Sequence, residues 1–359
     1  MAGRVYLDHN ATTPTAPRVV EAMLPYFGER FGNASSLHGY GQETREAVED
    51  AREKVARLIG AKANEVYFTS GGTEANNLAI KGTARASTAK GAHIITSRIE
   101  HEAVLNVCRY LEKDGFEISY ISVDRHGVVD LDELERALDD RTTLITVMHA
   151  NNEVGTIQPV EEIGRMARAR GVLFHTDAVQ AVGKLPVDVE RLRVDLLSLS
   201  GHKFHGPKGV GALYIRKGVK IDPLHHGGHH EKGLRAGTEN VPGIVGLGKA
   251  CEVALEEMGE EKERIGRLTQ KLERRMVEEI DEVLVNGHPL KKLFNTLSVC
   301  VRYAEGESIL TALDIEGIAA SSGSACTAGS LEPSHVLLAM GIPPDTVRGS
   351  LRFSLGRGN

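Results

Sequence analysis

Between about residues 40 and 250, short apolar runs alternate with longer stretches of helical periodicity. The runs at 65–69, 93–97, 116–123, 144–148, 172–175 and 195–200 read as strands. The stretches at 43–59, 73–82, 131–138 and 160–170 read as helices, as does the one ending near Lys113. Apolar runs with no polar alternation imply strands buried on both faces. Strands of that kind, separated by helices, predict a mostly parallel sheet with helical crossovers, an α/β architecture. The organisation changes near residue 246. Residues 249–284 read as one long charged helix in which Ile265, Leu268, Leu272, Met276 and Ile280 recur every three or four positions. Short strand-like and helical segments follow over 295–353, predicting a smaller α+β unit and a cleft between the two.

The length, 359 residues, suits about two domains. A net charge of −6 argues against a uniformly basic nucleic-acid surface. No apolar stretch approaches the roughly 18 residues of a membrane span. The first residues lack the apolar core of a signal peptide, so a cytoplasmic location is expected. Four cysteines, at 108, 251, 300 and 326, contain no CxxC pair and are too scattered for a disulfide framework or a zinc knuckle. Cys108, Cys251 and Cys300 lie in apolar or helical patterns and read as core thiols. Cys326 lies in a run of tiny residues, SSGSACTAGS, with no apolar periodicity.

Four motifs stand at strand–helix junctions. In SGGTEANN (70–77), two glycines and Thr73 open a helix whose first N–H groups can hold an anion; a plain glycine turn with a Thr cap is the alternative. In 195–209, a buried strand runs into Ser200-Gly201-His202-Lys203. A lysine there is either a desolvated, nucleophilic amine or a surface side chain in a glycine loop. Asp177 follows a strand at the sheet's carboxyl edge, 26 residues before Lys203, where ligands bind in open α/β folds; it could hold a pyridinium nitrogen or cap a helix. His101 could stack on a flat ring or cap a helix. Together the four supply a phosphate cradle, an amine, a ring-nitrogen carboxylate and a planar stacker, the parts of a pyridoxal phosphate pocket.

With these residues in view, the chain resembles the cysteine desulfurases of the NifS/IscS type, within the class V aminotransferase-like, fold type I pyridoxal phosphate enzymes. The match runs from YLDHNATTP (6–14) to RFSLGR (352–357) and includes SGGTEANN, EHEAVL, NNEVG, HTDAVQ, SGHK, RAGTEN and SSGSAC in order. The resemblance implies a large pyridoxal phosphate domain over 15–248. Residues 1–14 and 249–359 would form the small domain, with a catalytic cysteine loop at 321–331. It implies Lys203 as the internal aldimine lysine, Asp177 at the pyridine nitrogen, His101 over the ring, and Asn152 and Gln180 near the ring hydroxyl. Gly72, Thr73, Ser200 and His202 would hold the phosphate, and Thr238 would reach the partner subunit's phosphate in a homodimer. Arg352 would grip the carboxylate of L-cysteine, for which its bidentate fork is suited. His101 and Lys203 would move protons, and Cys326 would become the persulfide. An iron–sulfur scaffold protein or another acceptor would then take the sulfur; neither direct nucleic-acid binding nor a membrane is implied.

A persulfide-forming thiol must be accessible and must reach an acceptor. The Ser/Gly/Ala run around Cys326 therefore predicts a mobile tether. Relatives continue beyond the SLGR motif with a further helical tail that contributes to acceptor docking, whereas this sequence ends at Asn359; the resemblance therefore leaves acceptor binding and small-domain stability open. Two other activities share the fold, selenocysteine lyase and class V aminotransferase, and the latter needs no Cys326 tether. The run His225-His226-Gly227-Gly228-His229-His230 admits a metal site. The expectation is instead a glycine-rich loop beside the cofactor, with no metal.

Overall fold

A computed structural model of the chain describes residues 4–87, 90–322 and 333–359. In chain order the strands are β1 (Val5–Tyr6), β2 (Val66–Thr69), β3 (His93–Ser97), β4 (Glu117–Ile121), β5 (Thr142–Thr146), β6 (Leu173–Asp177), β7 (Leu196–Ser200), β8 (Gly211–Ile215), β9 (Val283–Asn286), β10 (Thr296–Val301), β11 (Ile318–Ala319) and β12 (Ser350–Ser354). A seven-stranded sheet has the order β2-β8-β7-β6-β5-β3-β4. All its pairings from β7 through β4 are parallel, and β8 runs antiparallel to both neighbours. The mostly parallel α/β sheet expected from the sequence is present.

Strands β3, β5, β7 and β8 are buried at every residue. Successive side chains enter opposite cores, as the two-residue strand period demands. Ile94, Leu144, Leu196 and Leu213 pack on one face with Leu78, Val104 and Leu111 from the helices Gly72–Ala86 and Glu102–Lys113. Ile95, Ile145, Leu197 and Tyr214 pack on the other with Val55, Ile59 and Ile163 from the helices Gly39–Ile59 and Val160–Ala169. The strand β8 had no counterpart in the sequence reading.

A three-stranded antiparallel sheet, β12-β10-β9, and a parallel pair, β1-β11, lie apart from the large sheet. The long helix starts earlier than its charge pattern suggests: it spans Val241–Glu279 rather than beginning near 249. Its first turns carry Gly243, Gly246 and Gly248, which weaken helical propensity, but close packing requires them. A Cβ on Gly248 would stand 2.7 Å from Ala51 Cα of the helix Gly39–Ile59. Leu247, Ala250 and Ala254 thus join the core of the large sheet, while Leu272 and Met276, further along, pack beside Leu297 and Phe353 of the small one. No helix among the described residues is long and apolar enough to cross a membrane. Cys108, Cys251 and Cys300 are buried, and burial pushes the Cys108 thiol up to about 12.

One buried ion pair ties the edge strand β2 to the loop after the histidine run. Arg52 donates from both terminal nitrogens to Glu231 at 2.8 and 2.9 Å, and Phe68 N–H donates to the same carboxylate at 2.9 Å. Removing Glu231 leaves the buried Arg52 with only the exposed Glu49 as counter-ion, and leaves Phe68 N–H without this acceptor. Glu231→Ala is therefore expected to destabilise the fold by about 3–5 kcal/mol in denaturant unfolding; a loss under about 1 kcal/mol would contradict this.

Candidate functional site

Parallel packing places the carboxyl ends of β5, β6 and β7 side by side, with Asp177 of β6 opposite Ser198 of β7. Past β7 the chain turns at once through a short 3₁₀ turn, Gly201–Lys203, which brings the lysine back over the sheet edge. The helix Gly72–Ala86 begins at the same edge, and His101 caps the helix Glu102–Lys113. The result is a cavity of about 300 Å³, bordered by every expected cofactor contact except Thr238, and by Arg352. That volume is at the low end of the usual range for small-molecule sites. Thr238 is exposed and lies outside the cavity, next to Gly237 at φ +110°. Cys326 and the expected mobile tether fall outside the described residues, except for Ser321 and Ser322 at its start.

Lys203 Nζ donates to the carbonyls of Asn10 and Ala11 at 2.6 and 2.8 Å. Asp177 is nearly buried; its carboxyl accepts from Asn76 Nδ2 at 2.6 Å and from Val179 N–H at 2.9 Å. His101 Nδ1 accepts from Ala103 N–H at 3.0 Å, which fixes the neutral ring's proton on Nε2. His202 Nδ1 pairs with Thr12 Oγ1 at 3.1 Å, and burial, then Lys203 and Lys208, pull its pKa down to about 4. It is therefore neutral at physiological pH. Arg352 is buried; one nitrogen donates to Asp8 Oδ1 at 2.7 Å and another to Asn152 O at 3.2 Å.

The residues fit pyridoxal phosphate. A helix N-terminus, the Thr73 and Ser200 hydroxyls and the His202 imidazole converge as donors for an anion. A Cβ on Gly72 would come within 2.6 Å of Val179 Cγ2, so the cradle needs glycine there. Asn76 Oδ1 and Arg352 Nε are buried and lack a protein partner among the described residues. Such orphans mark places where a ligand can complete the bonding.

Three contributors escaped the sequence reading. Asn76 lies one helical turn after Thr73 in the phosphate motif, and its spacing could have flagged it. Asn10 and Lys184 carry no local signal, because each acts through partners distant in sequence. The histidine run forms no metal cluster: among the described residues no three His, Cys, Asp or Glu side chains could hold one ion. His225 Nδ1 lies 3.8 Å from Glu74, and His230 Nε2 lies 3.7 Å from Glu239.

Burial raises the pKa of two carboxyls near the site, and Glu100 is the one held mainly protonated at neutral pH. Burial raises Glu100 to about 8, against the hydrogen bonds from Ser97 Oγ at 2.5 Å and Met148 N–H at 3.0 Å. Burial raises Glu153 to about 7, against Ser334 Oγ, which donates at 2.5 Å. From about pH 4.5 to 8 the unfolded chain ionises at Glu100 while the folded chain stays protonated. Stability therefore falls as pH rises through that window. Glu100→Gln is expected to flatten this part of the Tm-against-pH curve; an unchanged slope would refute the neutral carboxyl.

The model of the family described as aminotransferase class-V matches residues 5–359. A curated relative, "Cysteine desulfurase IscS" of Dictyoglomus turgidum, is 56% identical over 356 residues, covering 99% of this chain and 90% of that protein. A solved structure titled "NIFS-LIKE PROTEIN" superposes with a TM-score of 0.93 at 44% identity, covering 98% of this chain and 93% of the other. Another, "SspA in complex with cysteine", has a TM-score of 0.88 at 40% identity and covers 98% of both chains.

Proposed function

The chain belongs to the aminotransferase class-V family, and from that premise we infer that it is a pyridoxal 5′-phosphate-dependent cysteine desulfurase. It converts L-cysteine to L-alanine and transfers the sulfur to its own Cys326 as a persulfide. The fold is the fold type I architecture of its relatives; a curated relative is named a cysteine desulfurase, and a solved neighbour is titled as a complex with cysteine. The observation that carries the reading is the meeting of Lys203, Asp177 and His101 in one cavity with an anion cradle at its edge.

The cofactor supplies an electron sink at the substrate's α-carbon when bound; the protein does the rest. Lys203 offers a primary amine for covalent attachment and afterwards for proton transfer. Asp177, oriented by Asn76 and Val179, is the group for the ring nitrogen. His101 stacks at the cavity wall and carries its exchangeable proton on Nε2. His202, neutral, contributes a hydrogen bond rather than a charge to the phosphate. Arg352 exchanges part of its contact with Asp8 for the substrate carboxylate. Cys326, as thiolate, attacks the substrate sulfur. The C–S bond breaks, an S–S bond forms, and the electron pair left on carbon takes up a proton, giving alanine.

The described residues on either side of the Cys326 segment support this geometry. Ser321 exchanges backbone hydrogen bonds with Arg352, and His335 Nε2 meets the Glu100 carbonyl at 2.9 Å. The first flank is thus bonded to Arg352, which borders the cavity, and the second to Glu100, the residue before His101. We assign residues 15–248 to the cofactor unit, and 1–14 with 249–359 to the small one. We also propose a homodimer, in which exposed Thr238 serves the partner's phosphate. Exposed Leu24, Phe27, Phe31, Leu37 and Tyr40 support an apolar contact. The sulfur acceptor is an iron–sulfur scaffold or another thiolation carrier. A free thiol nucleophile suits a reducing cytoplasm.

Lys203→Ala is expected to abolish borohydride fixation of the cofactor onto the chain, read by mass spectrometry; fixation at the wild-type level would refute its role. Cys326→Ser should retain the bound cofactor's visible absorbance yet lose at least about a hundredfold in sulfide and alanine release. Release at the wild-type rate would remove Cys326 from the reaction. Sedimentation equilibrium should give twice the chain mass.

A further inference from the structure

Behind the cavity lies a lysine that the reaction as described does not use. Lys184 is 6% exposed. Its Nζ donates to Gln180 Oε1 at 2.7 Å and to Asn10 Oδ1 at 3.3 Å. Both acceptors are neutral amides, and among the described residues no carboxylate forms an ion pair with it. The charged groups that face it are cations, Lys203 and Arg352, which add to burial in pulling its pKa down to about 7. His9, His202 and His205 surround it as further basic groups, each pushed toward its neutral form chiefly by burial. A small cavity on its far side is bordered by Glu261 and Arg357, which pair with each other.

A buried amine without a counter-charge costs the apoprotein stability, and an apolar side chain of similar volume would not. What the amine does supply is orientation. Gln180 Nε2 is turned to the Asn10 carbonyl, which can only accept, so the amide atom facing Nζ is the oxygen and Nζ donates to it. The Gln180 nitrogen points the other way. One of its N–H groups goes to Asn10 O at 2.9 Å; the second is left for a ligand in the cavity that Gln180 borders. Without Lys184 the oxygen of Gln180 loses its donor, and only the Asn10 carbonyl is left to orient the amide.

We propose that Lys184 is a positioning residue for the cofactor: by donating to Gln180 Oε1 it locks that amide so that a nitrogen, not an oxygen, meets the ring hydroxyl. This rests on the reading above that the cavity holds pyridoxal phosphate with Gln180 beside the ring oxygen. A residue that merely supported the fold would, on removal, lower stability and cofactor affinity together. A positioning lysine buried against its own charge moves them in opposite directions.

The test uses the full chain stripped of cofactor and refilled with pyridoxal 5′-phosphate. Lys184→Met is expected to raise the melting temperature of the apoprotein by a few degrees and to weaken cofactor binding about tenfold. Gln180→Ala should weaken binding by a similar factor, and the double variant should be no weaker than Gln180→Ala alone. Lys184→Gln, which keeps an N–H donor, should recover most of the affinity. Lys184→Leu replaces Lys184→Met in the same comparison if the latter does not fold. Wild-type affinity in both apolar variants, or losses that multiply in the double variant, would overturn the proposal while leaving the functional reading intact. Failure of the wild-type chain to develop a visible cofactor band would overturn both.

Discussion

Asn10 joins four parts of the molecule at one buried point. Its backbone N–H donates to Ser354 Oγ of the small sheet, and its side-chain nitrogen to Asn152 O and Thr296 Oγ1. Its side-chain oxygen accepts from Lys184 and Asn295, and its carbonyl from Gln180 and Lys203. One buried amide thus fixes the amino-terminal segment, the small sheet, the Asn152 loop and the lysine turn relative to each other. In a low-dielectric interior each unmade bond in such a network costs more than it would in water. The cavity keeps its shape because these partners cannot move independently.

The charges around the cavity follow from the same burial. Lys203, Lys184 and Arg352 face inward, while Asp177 and Asp8 are the carboxyls they share space with. Burial holds Glu100 mainly protonated, so it serves as a hydrogen-bonding group rather than a counter-ion, and burial raises Glu153 to about 7. The pocket is therefore short of negative charge, which an anionic cofactor and a substrate carboxylate supply. Burial first, and then the neighbouring cations, lower the pKa values of Lys184 and His202.

Much of the site was legible because it sits at junctions. Asp177, Lys203, His101 and the glycines at 71 and 72 each follow a strand, where a change of period marks the edge of a parallel sheet. The strand β8 was not legible: it starts two residues after Gly209 (φ +76°), beside the lysine loop, and runs antiparallel, so nothing like a crossover precedes it. The first turns of the long helix were hidden by glycines that make sense only against Ala51.

Local pattern determined the α/β class, most strand and helix positions, the core assignment of three cysteines, and the placing of Lys203, Asp177 and the Gly72-Thr73 turn at strand–helix junctions. These depend on period and on residue type at a junction, and both are written in consecutive residues. Only the tertiary structure decided that Asn76 orients Asp177, that Arg352 is held by Asp8, and that Lys184 stands behind Gln180 without a counter-charge. It also decided that burial raises the pKa values of Glu100 and Glu153. Those facts are set by burial and by distances between residues far apart in the chain, and neither is encoded in local spacing.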